Sequence, residues 1–510
     1  MKRIVEVGSN AWCEKAVTAA GLLVDGDDYF KAFYEAAAVA QRCILLSGWQ
    51  FDSDMALLRG ADAERATLPV TLKAFLNALC ERNPKLHIYM LAWDFHMVFA
   101  LEREWMQRLV FDWTTHERFR FRFDRSHVDK GCHHQKFAVI DCQLSFLGGL
   151  DLADHRWDVR AHRDEEPLRV SRGEPHKPFH DIQTYLVGRE VGEALEDLFR
   201  CRWKVAGGEP FETLDEDVPP LASYSPRGAH PLPVDRVGLS RTDPKGSPCP
   251  RPGTASACHE VVDLYVAAIA AAERSIYIET QYFSSEVIGE ALVRRLQATG
   301  RPALDVVLVL NMRAETLKEQ VAVGLAQAKV LRDVRKAAAV TAHRLGVYYT
   351  VPVSKDGQEP ERETYIHAKL MIVDDRFLNV GSANLTNRSG SVDTELNASY
   401  ETDADDALRD SIARFRLGLL AEHLGELGWE LTLEQGTVAA LEDRATRREG
   451  RLRLHPSPTE RESQVLDVVD PQALPFDPHA VEEDDETHSL FVRGIGSLWR
   501  NLLSDRDDAK

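Results

Sequence analysis

His134, Lys136 and Asp141 stand in the stretch CHHQKFAVID, and His367, Lys369 and Asp374 repeat their spacing in YIHAKLMIVDD. Residues two apart on an extended segment project from one face, so each copy presents an imidazole beside an ammonium. Two such pairs, brought together, suit displacement at a phosphodiester. The lysines would hold the non-bridging oxygens as charge shifts. One neutral histidine would attack phosphorus and become a phosphohistidine. The other, protonated, would give its proton to the departing alcohol and later take one from water. Histidine fits both tasks because its ordinary pKa lies near neutrality. The scheme calls for no metal and no cofactor, and the sequence carries no H-E-x-x-H, EF-hand loop or carboxylate cluster at metal spacing.

One H-x-K-x4-D is weak evidence. Here the first copy runs on to Gly148, Gly149, Asp151 and Leu152, and the second to Gly381, Ser382, Asn384 and Leu385 at the same offsets. Upstream, AQRCILLSGWQFD (40–52) resembles AERSIYIETQYFS (272–284). A repeat displaced by 232–233 residues means two copies of one unit rather than a solenoid.

The elements that must position these residues alternate helix and strand. DYFKAFYEAAAVAQR and EVVDLYVAAIAAAER have helical apolar spacing and lead into β-rich runs at Cys43–Gly48 and Ser275–Glu279. KFAVID and KLMIVDD are short continuous apolar runs, as strands buried on both faces require. The expected fold is α/β, with two duplicated α/β/α units on mixed sheets. The first unit spans 1–205 and the second 257–430. Between them 206–256 is a Pro/Gly-rich linker, whose RVGLSRT could be the second unit's first strand. The tail, 431–510, holds an acidic run and a terminal amphipathic segment with Phe491, Ile495, Leu498 and Leu502 on one face.

With 510 residues, 44% hydrophobic and 28% charged, the chain has the composition of an ordinary globular protein large enough for more than one core. A net charge of −19 weighs against nucleic acid as partner. THERFRFRFDRSH (115–127) interleaves Arg and Phe, but strict alternation reads first as a half-buried strand. Eight scattered cysteines without a C-x-x-C pair argue against a disulfide framework and for a reducing compartment. With no secretory signal or 18-residue apolar run, the expected location is cytoplasmic, with peripheral contact at a membrane. Trp49 and Gln281, at matching strand ends, and Trp157, in DHRWD, are candidates to line a substrate pocket. His133 points away from His134 by alternation and reads as structural.

HHQKFAVID…GGLDL and IHAKLMIVDDRFLNVGSANLTNRS resemble the paired HKD motifs of the phospholipase D superfamily, and the resemblance covers roughly residues 20–420. It implies two halves about a pseudo-two-fold axis, one active site at their interface, and a monomer with both motifs in one chain. His134 would be the nucleophile and His367 the general acid. Lys136 and Lys369 match phosphate-binding lysines. Asn384 matches a phosphate-contacting asparagine, Asp151 takes the equivalent place in the first half, and Ser382 is grouped with these contacts. Asp181, in FHDIQ, and Glu395, in DTELN, match acids that orient the histidines. Asp141 and Asp374 are expected to brace turns, and Gly148, Gly149 and Gly381 to be structural. The implied activity is hydrolysis of a glycerophospholipid at a membrane surface to phosphatidic acid and a head-group alcohol. A phosphatidyltransferase, a nuclease and an idle scaffold are the alternatives, and the intact His-Lys-Asp set in both halves speaks against the last.

Overall fold

A computed structural model describes residues 2–94, 115–125, 131–211, 224–245, 257–313, 317–352, 362–402, 405–426 and 437–458, with the isolated positions 218, 221, 247 and 249. The acidic run and terminal amphipathic segment lie outside the described residues, as does part of the Pro/Gly-rich stretch.

Two mixed sheets carry the chain. The first runs His230–Leu232, Ala19–Val24, Ile182–Val187, Leu144–Gly148, Phe137–Ile140, Cys43–Gly48, His87–Trp93 and Phe119–Asp124. The second runs Cys13–Ala16, Arg236–Asp243, Glu395–Glu401, Phe377–Gly381, Lys369–Val373, Ser275–Thr280, Asp305–Val309, Arg344–Thr350 and Leu452–Leu454. From Ala19–Val24 and from Arg236–Asp243 onward, seven strands follow the same order in both sheets. Their senses agree too: antiparallel pairings as far as Cys43–Gly48 or Ser275–Thr280, then two parallel ones. The duplication legible in the motifs is thus a duplication of topology.

The flanking edge strands are exchanged. Cys13–Ala16, from the chain's start, borders the second sheet, whereas His230–Leu232, which follows the first half, borders the first. Leu452–Leu454, within the expected tail, extends the second sheet beside Arg344–Thr350. Phe119–Asp124 alternates in burial over its first four residues at a sheet edge, as its Arg-Phe pattern predicts, and ends on the buried Asp124.

Strands buried on both faces feed two cores each. Ile44 and Leu46 face one apolar cluster, Cys43 and Leu45 another; Met371 and Val373 face a third, Leu370 and Ile372 the shared one. That shared cluster takes side chains from both sheets and from helices Arg189–Val205 and Asp406–Leu424, so the halves are joined by a common apolar centre. Burial of this extent is the main source of cohesion between them.

The cysteine expectation needs correction. Cys201 and Cys249 form a disulfide across 48 residues, with Cα atoms 5.9 Å apart, while Cys132 and Cys142 are buried free thiols. Proximity in the fold, invisible in sequence spacing, decides the pairing.

Asp141 and Asp374 open the tight turns after the motif strands, and each sits at positive φ beside a second positive-φ residue, Cys142 or Asp375. Each carboxylate reaches back to the neighbouring strand. Asp141 accepts from the backbone N–H of Gln41, Arg42 and Cys43; Asp374 accepts from Glu273, Arg274 and Ser275. Removing either carboxylate would orphan three donors that are at least part-buried. Asp374→Ala should therefore lower unfolding stability by on the order of 3 kcal/mol, read as an earlier urea midpoint. An unchanged midpoint would show that water replaces the carboxylate at little cost.

Candidate active site

The motif strands end beside each other because each approach segment pairs with the opposite half. Residues 132–134 run along Asp393 and Thr394: Cys132 N–H donates to the Asp393 carboxylate at 2.9 Å, and His134 N–H to the Thr394 carbonyl at 3.1 Å. In the symmetric position Tyr365–Ile366 pairs in parallel with Phe179–His180, and His367 N–H donates to the His180 carbonyl at 2.8 Å.

The imidazoles are held by the same crossing. His134 Nδ1 lies 2.9 and 3.0 Å from the two oxygens of Glu395, and His367 Nδ1 lies 2.6 Å from Asp181 Oδ2. A carboxylate only accepts, so Nδ1 carries the hydrogen and Nε2 is left as the working nitrogen. Ser382 Oγ donates to Glu395 at 2.5 Å and is fully buried, so it fixes the carboxylate rather than a phosphate. On the other side Gly149 makes room: a Cβ there would stand 2.2 Å from Asp181 Oδ1. Gly148 and Gly381 are crowded likewise by Gln183 and Asn397.

Lys136 and Lys369 are 3% and 1% exposed. Lys136 Nζ is 3.2 Å from Asp151 Oδ2, whose other oxygen accepts from Trp49 N–H at 2.8 Å. Asp151, proposed above as a phosphate contact, is an anion with nothing to donate; its place is beside Lys136, holding the ammonium. Lys369 donates to the His367 carbonyl and, at 3.2 Å, to Gln281 Oε1, and Gln281 in turn donates to the Tyr365 hydroxyl at 2.8 Å. Asn384 is half-buried with an unpartnered amide oxygen.

Of the pocket candidates, Trp49 is half-buried and stacks on Trp93 with centroids 5.8 Å apart. Trp157 is only 2% exposed and packs into the first half's core under the Arg59 guanidinium. Its neighbour Arg156 takes the other direction, sitting 5.0 Å from the Phe179 ring, which in turn lies 5.2 Å from the His367 ring. Arg156 was not among the sequence candidates; alternation around the buried indole was the available signal. His133 is fully buried between Ser47 and Thr394, as its alternation requires.

Burial holds the His367 imidazole neutral, reinforced by Lys369, Arg156, Lys136 and His134. Two lysines, an arginine and both histidines therefore converge on one spot from both halves. Burial also brings the Lys369 ammonium down to about 7, with Lys136 and Arg156 adding to the effect against Asp181 and Glu395. An anion entering between the lysines would relieve this repulsion.

Residues 265–415 match the family described as "Cardiolipin synthase, PLD-like domain". Phospholipase D alpha 1 of Zea mays is 25% identical over an alignment covering 79% of this chain and 65% of the maize protein. Phospholipase D alpha 2 of Arabidopsis thaliana is 26% identical, with 77% and 63% covered. The chain thus spans just under two thirds of the length of these relatives. Phosphatidylserine synthase of Haemophilus influenzae Rd KW20 shares the fold: TM-score 0.50 at 14% identity, over 89% of this chain and 97% of that one. The family match and the phospholipase D relatives support membership of the phospholipase D superfamily.

Two outcomes follow from the geometry. Gly149→Ala pushes the Asp181 carboxylate off His367 and should cut kcat roughly 10²-fold while circular dichroism stays native; undiminished turnover would remove Asp181 from the working site. Lys369 is charged below about 7 and loses its charge above it. On a soluble short-chain phosphodiester, kcat/KM should therefore fall as pH rises past that point, because this parameter reports the free enzyme. Lys369→Arg, charged throughout, should lose that alkaline limb even with a lower maximum. A limb that persists in the arginine variant belongs to another group.

Proposed function

We propose that this chain is a phospholipase D-type phosphodiesterase, hydrolysing glycerophospholipids to phosphatidic acid and a free head-group alcohol through a covalent phosphohistidine. The observation that carries the reading is the crossed pair of carboxylate-held imidazoles, each with Nε2 free to work beside a buried lysine. Such an arrangement supplies a nucleophile, a proton donor and cations for the phosphate without further parts.

In the proposed sequence, phosphate oxygens settle between Lys136 and Lys369, beside Arg156, with Asn384 proposed as a further contact. His134 Nε2 attacks phosphorus in line with the alkoxide bond, and Glu395 stabilises the positive charge on its ring. The anion draws a proton onto His367, which passes it to the leaving oxygen; His367 then takes a proton from water attacking the phosphohistidine. The neutrality of His367 before substrate arrives favours a second order of events, with His367 attacking and His134 donating. Trapped intermediate separates the two. With a leaving group that needs no proton, His367→Ala should still label His134, whereas label on residue 367 in the native chain reverses the roles.

The substrate is proposed to lie at a membrane surface, with the chain monomeric, cytoplasmic and peripheral to that membrane. No described helix is long and apolar enough to cross one. The match of residues 265–415 to a cardiolipin synthase-type description supports a second reading, in which a lipid alcohol takes the place of water.

Mixed-lipid vesicles resolved by mass spectrometry test both. Phosphatidic acid is the expected product, diverted to phosphatidylethanol by added ethanol without faster head-group release, because a primary alcohol competes for the same intermediate. Cardiolipin as main product would establish the transferase reading. Ethanol suppressing release with no phosphatidylethanol formed would end the covalent mechanism.

A further inference from the structure

Behind the Asp181–His367 pair lies a second cluster that the proposed reaction does not use. Asp25, His162, His180 and Glu422 are each fully buried. His162 Nε2 is 3.2 Å from Asp25 Oδ2 and 3.0 Å from Glu422 Oε1; His180 Nδ1 is 3.0 Å from Asp25 Oδ1 and 2.9 Å from the same Glu422 oxygen. One atom from each residue lies within 4.8 Å of all the others.

The other nitrogen of each ring is already committed. His162 Nδ1 donates to Asp158 Oδ2 at 2.8 Å, and His180 Nε2 to Glu279 Oε2 at 2.8 Å. In the neutral imidazoles this leaves two nitrogen lone pairs facing two carboxylates across about 3 Å of protein interior. Lone pairs so opposed repel unless a cation stands among them. His180 Nδ1 and Asp25 Oδ2, moreover, meet no partner in good hydrogen-bond geometry despite these short distances.

We propose that Asp25, His162, His180 and Glu422 bind one divalent transition-metal cation of the zinc class. Ligand bonds of about 2.0–2.1 Å in a tetrahedron put neighbouring donors roughly 3.3 Å apart; the four separations above, two of them to different oxygens of Asp25, lie within a few tenths of an ångström of that. Two imidazoles with two carboxylates are a set such ions accept. The surround is that of a metal site too: each histidine backed by a carboxylate, and Glu422 Oε2 held by Arg160 Nε at 2.6 Å.

Three ligands come from the first half and Glu422 from the second, so the ion would clamp the halves together. It would also fix Asp181, since Asp25 and Asp181 exchange backbone contacts: Asp25 N–H donates to the Asp181 carbonyl at 2.8 Å, and Asp181 N–H to Asp25 Oδ1 at 3.2 Å. The absence of a metal from the proposed reaction is unaffected, because this site touches no reacting atom. The competing occupant is a pair of protons, one on each imidazole, which supplies the same charge.

The full chain, expressed in zinc-supplemented medium and purified without chelator, should carry about one zinc per chain by plasma mass spectrometry. X-ray absorption should give a first shell of nitrogen and oxygen near ~2.0 Å with imidazole outer scattering and no sulfur. His162→Gln and Glu422→Gln should fall below about a tenth of an ion per chain after dialysis, while His134→Asn keeps its metal. Transition metal below that level in the wild type would overturn the proposal in favour of the two protons. A sulfur shell near ~2.3 Å would move the ion to the cysteines, and loss of metal in His134→Asn would move it to the catalytic histidines. If the cluster variants fail to fold, the wild-type absorption spectrum and His134→Asn still decide.

Discussion

An imidazole works from one nitrogen only when something accepts the hydrogen on the other, and for both motif histidines that acceptor comes from the opposite half. His134 depends on Glu395, and His367 on Asp181. Neither half can therefore orient its own histidine, and the site exists only where the halves meet. Much of the architecture serves this dependence: the parallel pairing of 365–366 with 179–180, the strand-like contact of 132–134 with 393–394, and a central apolar cluster drawn from both sheets. The exchanged edge strands, Cys13–Ala16 and His230–Leu232, tie each sheet to chain from outside its own half.

A second constraint is electrostatic. Two buried ammonium groups in one cleft are costly unless each keeps polar neighbours. Lys136 has Asp151, which compensates its charge outright; Lys369 has a carbonyl and the Gln281 amide, which solvate without neutralising. Burial, with Lys136 and Arg156 nearby, brings Lys369 down to about 7 where it would ordinarily titrate above 10. A phosphodiester, the proposed substrate, would supply the missing charge, so its binding would be favoured by relief of repulsion already present in the free protein. Preorganised cations of this kind need little rearrangement when charge shifts toward the leaving oxygen.

The sequence disclosed the fold class and the motif residues because both rest on local rules. Alternation put His134 and Lys136 on one face, continuous apolar runs marked strands covered on both sides, and the repeat of thirteen upstream residues marked the duplication. What it could not disclose depends on pairs distant along the chain. The Cys201–Cys249 bond, the Lys136–Asp151 contact and the Ser382–Glu395 bond join residues whose spacing carries no pattern. Asp151 was misjudged by its alignment with Asn384: equivalent positions in a repeat share a backbone, not a charge. The cluster at Asp25, His162, His180 and Glu422 draws on four separate stretches, and no spacing rule reaches it.

Duplication alone would make two identical histidines, whereas the proposed chemistry needs one to attack while the other holds a proton. The departures from symmetry are the means of telling them apart. Glu395 is long enough to meet His134 with both oxygens and is steadied by Ser382. Asp181 is shorter, reaches His367 with one oxygen over a glycine, and burial pushes its carboxyl up to about 7. His134 keeps 15% of its side chain exposed and His367 9%. Each difference is a single substitution at a matched position: Ser for Gly at 382 and 149, Glu for Asp at 395 and 181, Asn for Asp at 384 and 151. A symmetric dimer of one half could not make them, because every change would appear on both sides of the axis. One chain holding both copies can, and that freedom is a physical reason for two motifs to occupy one polypeptide.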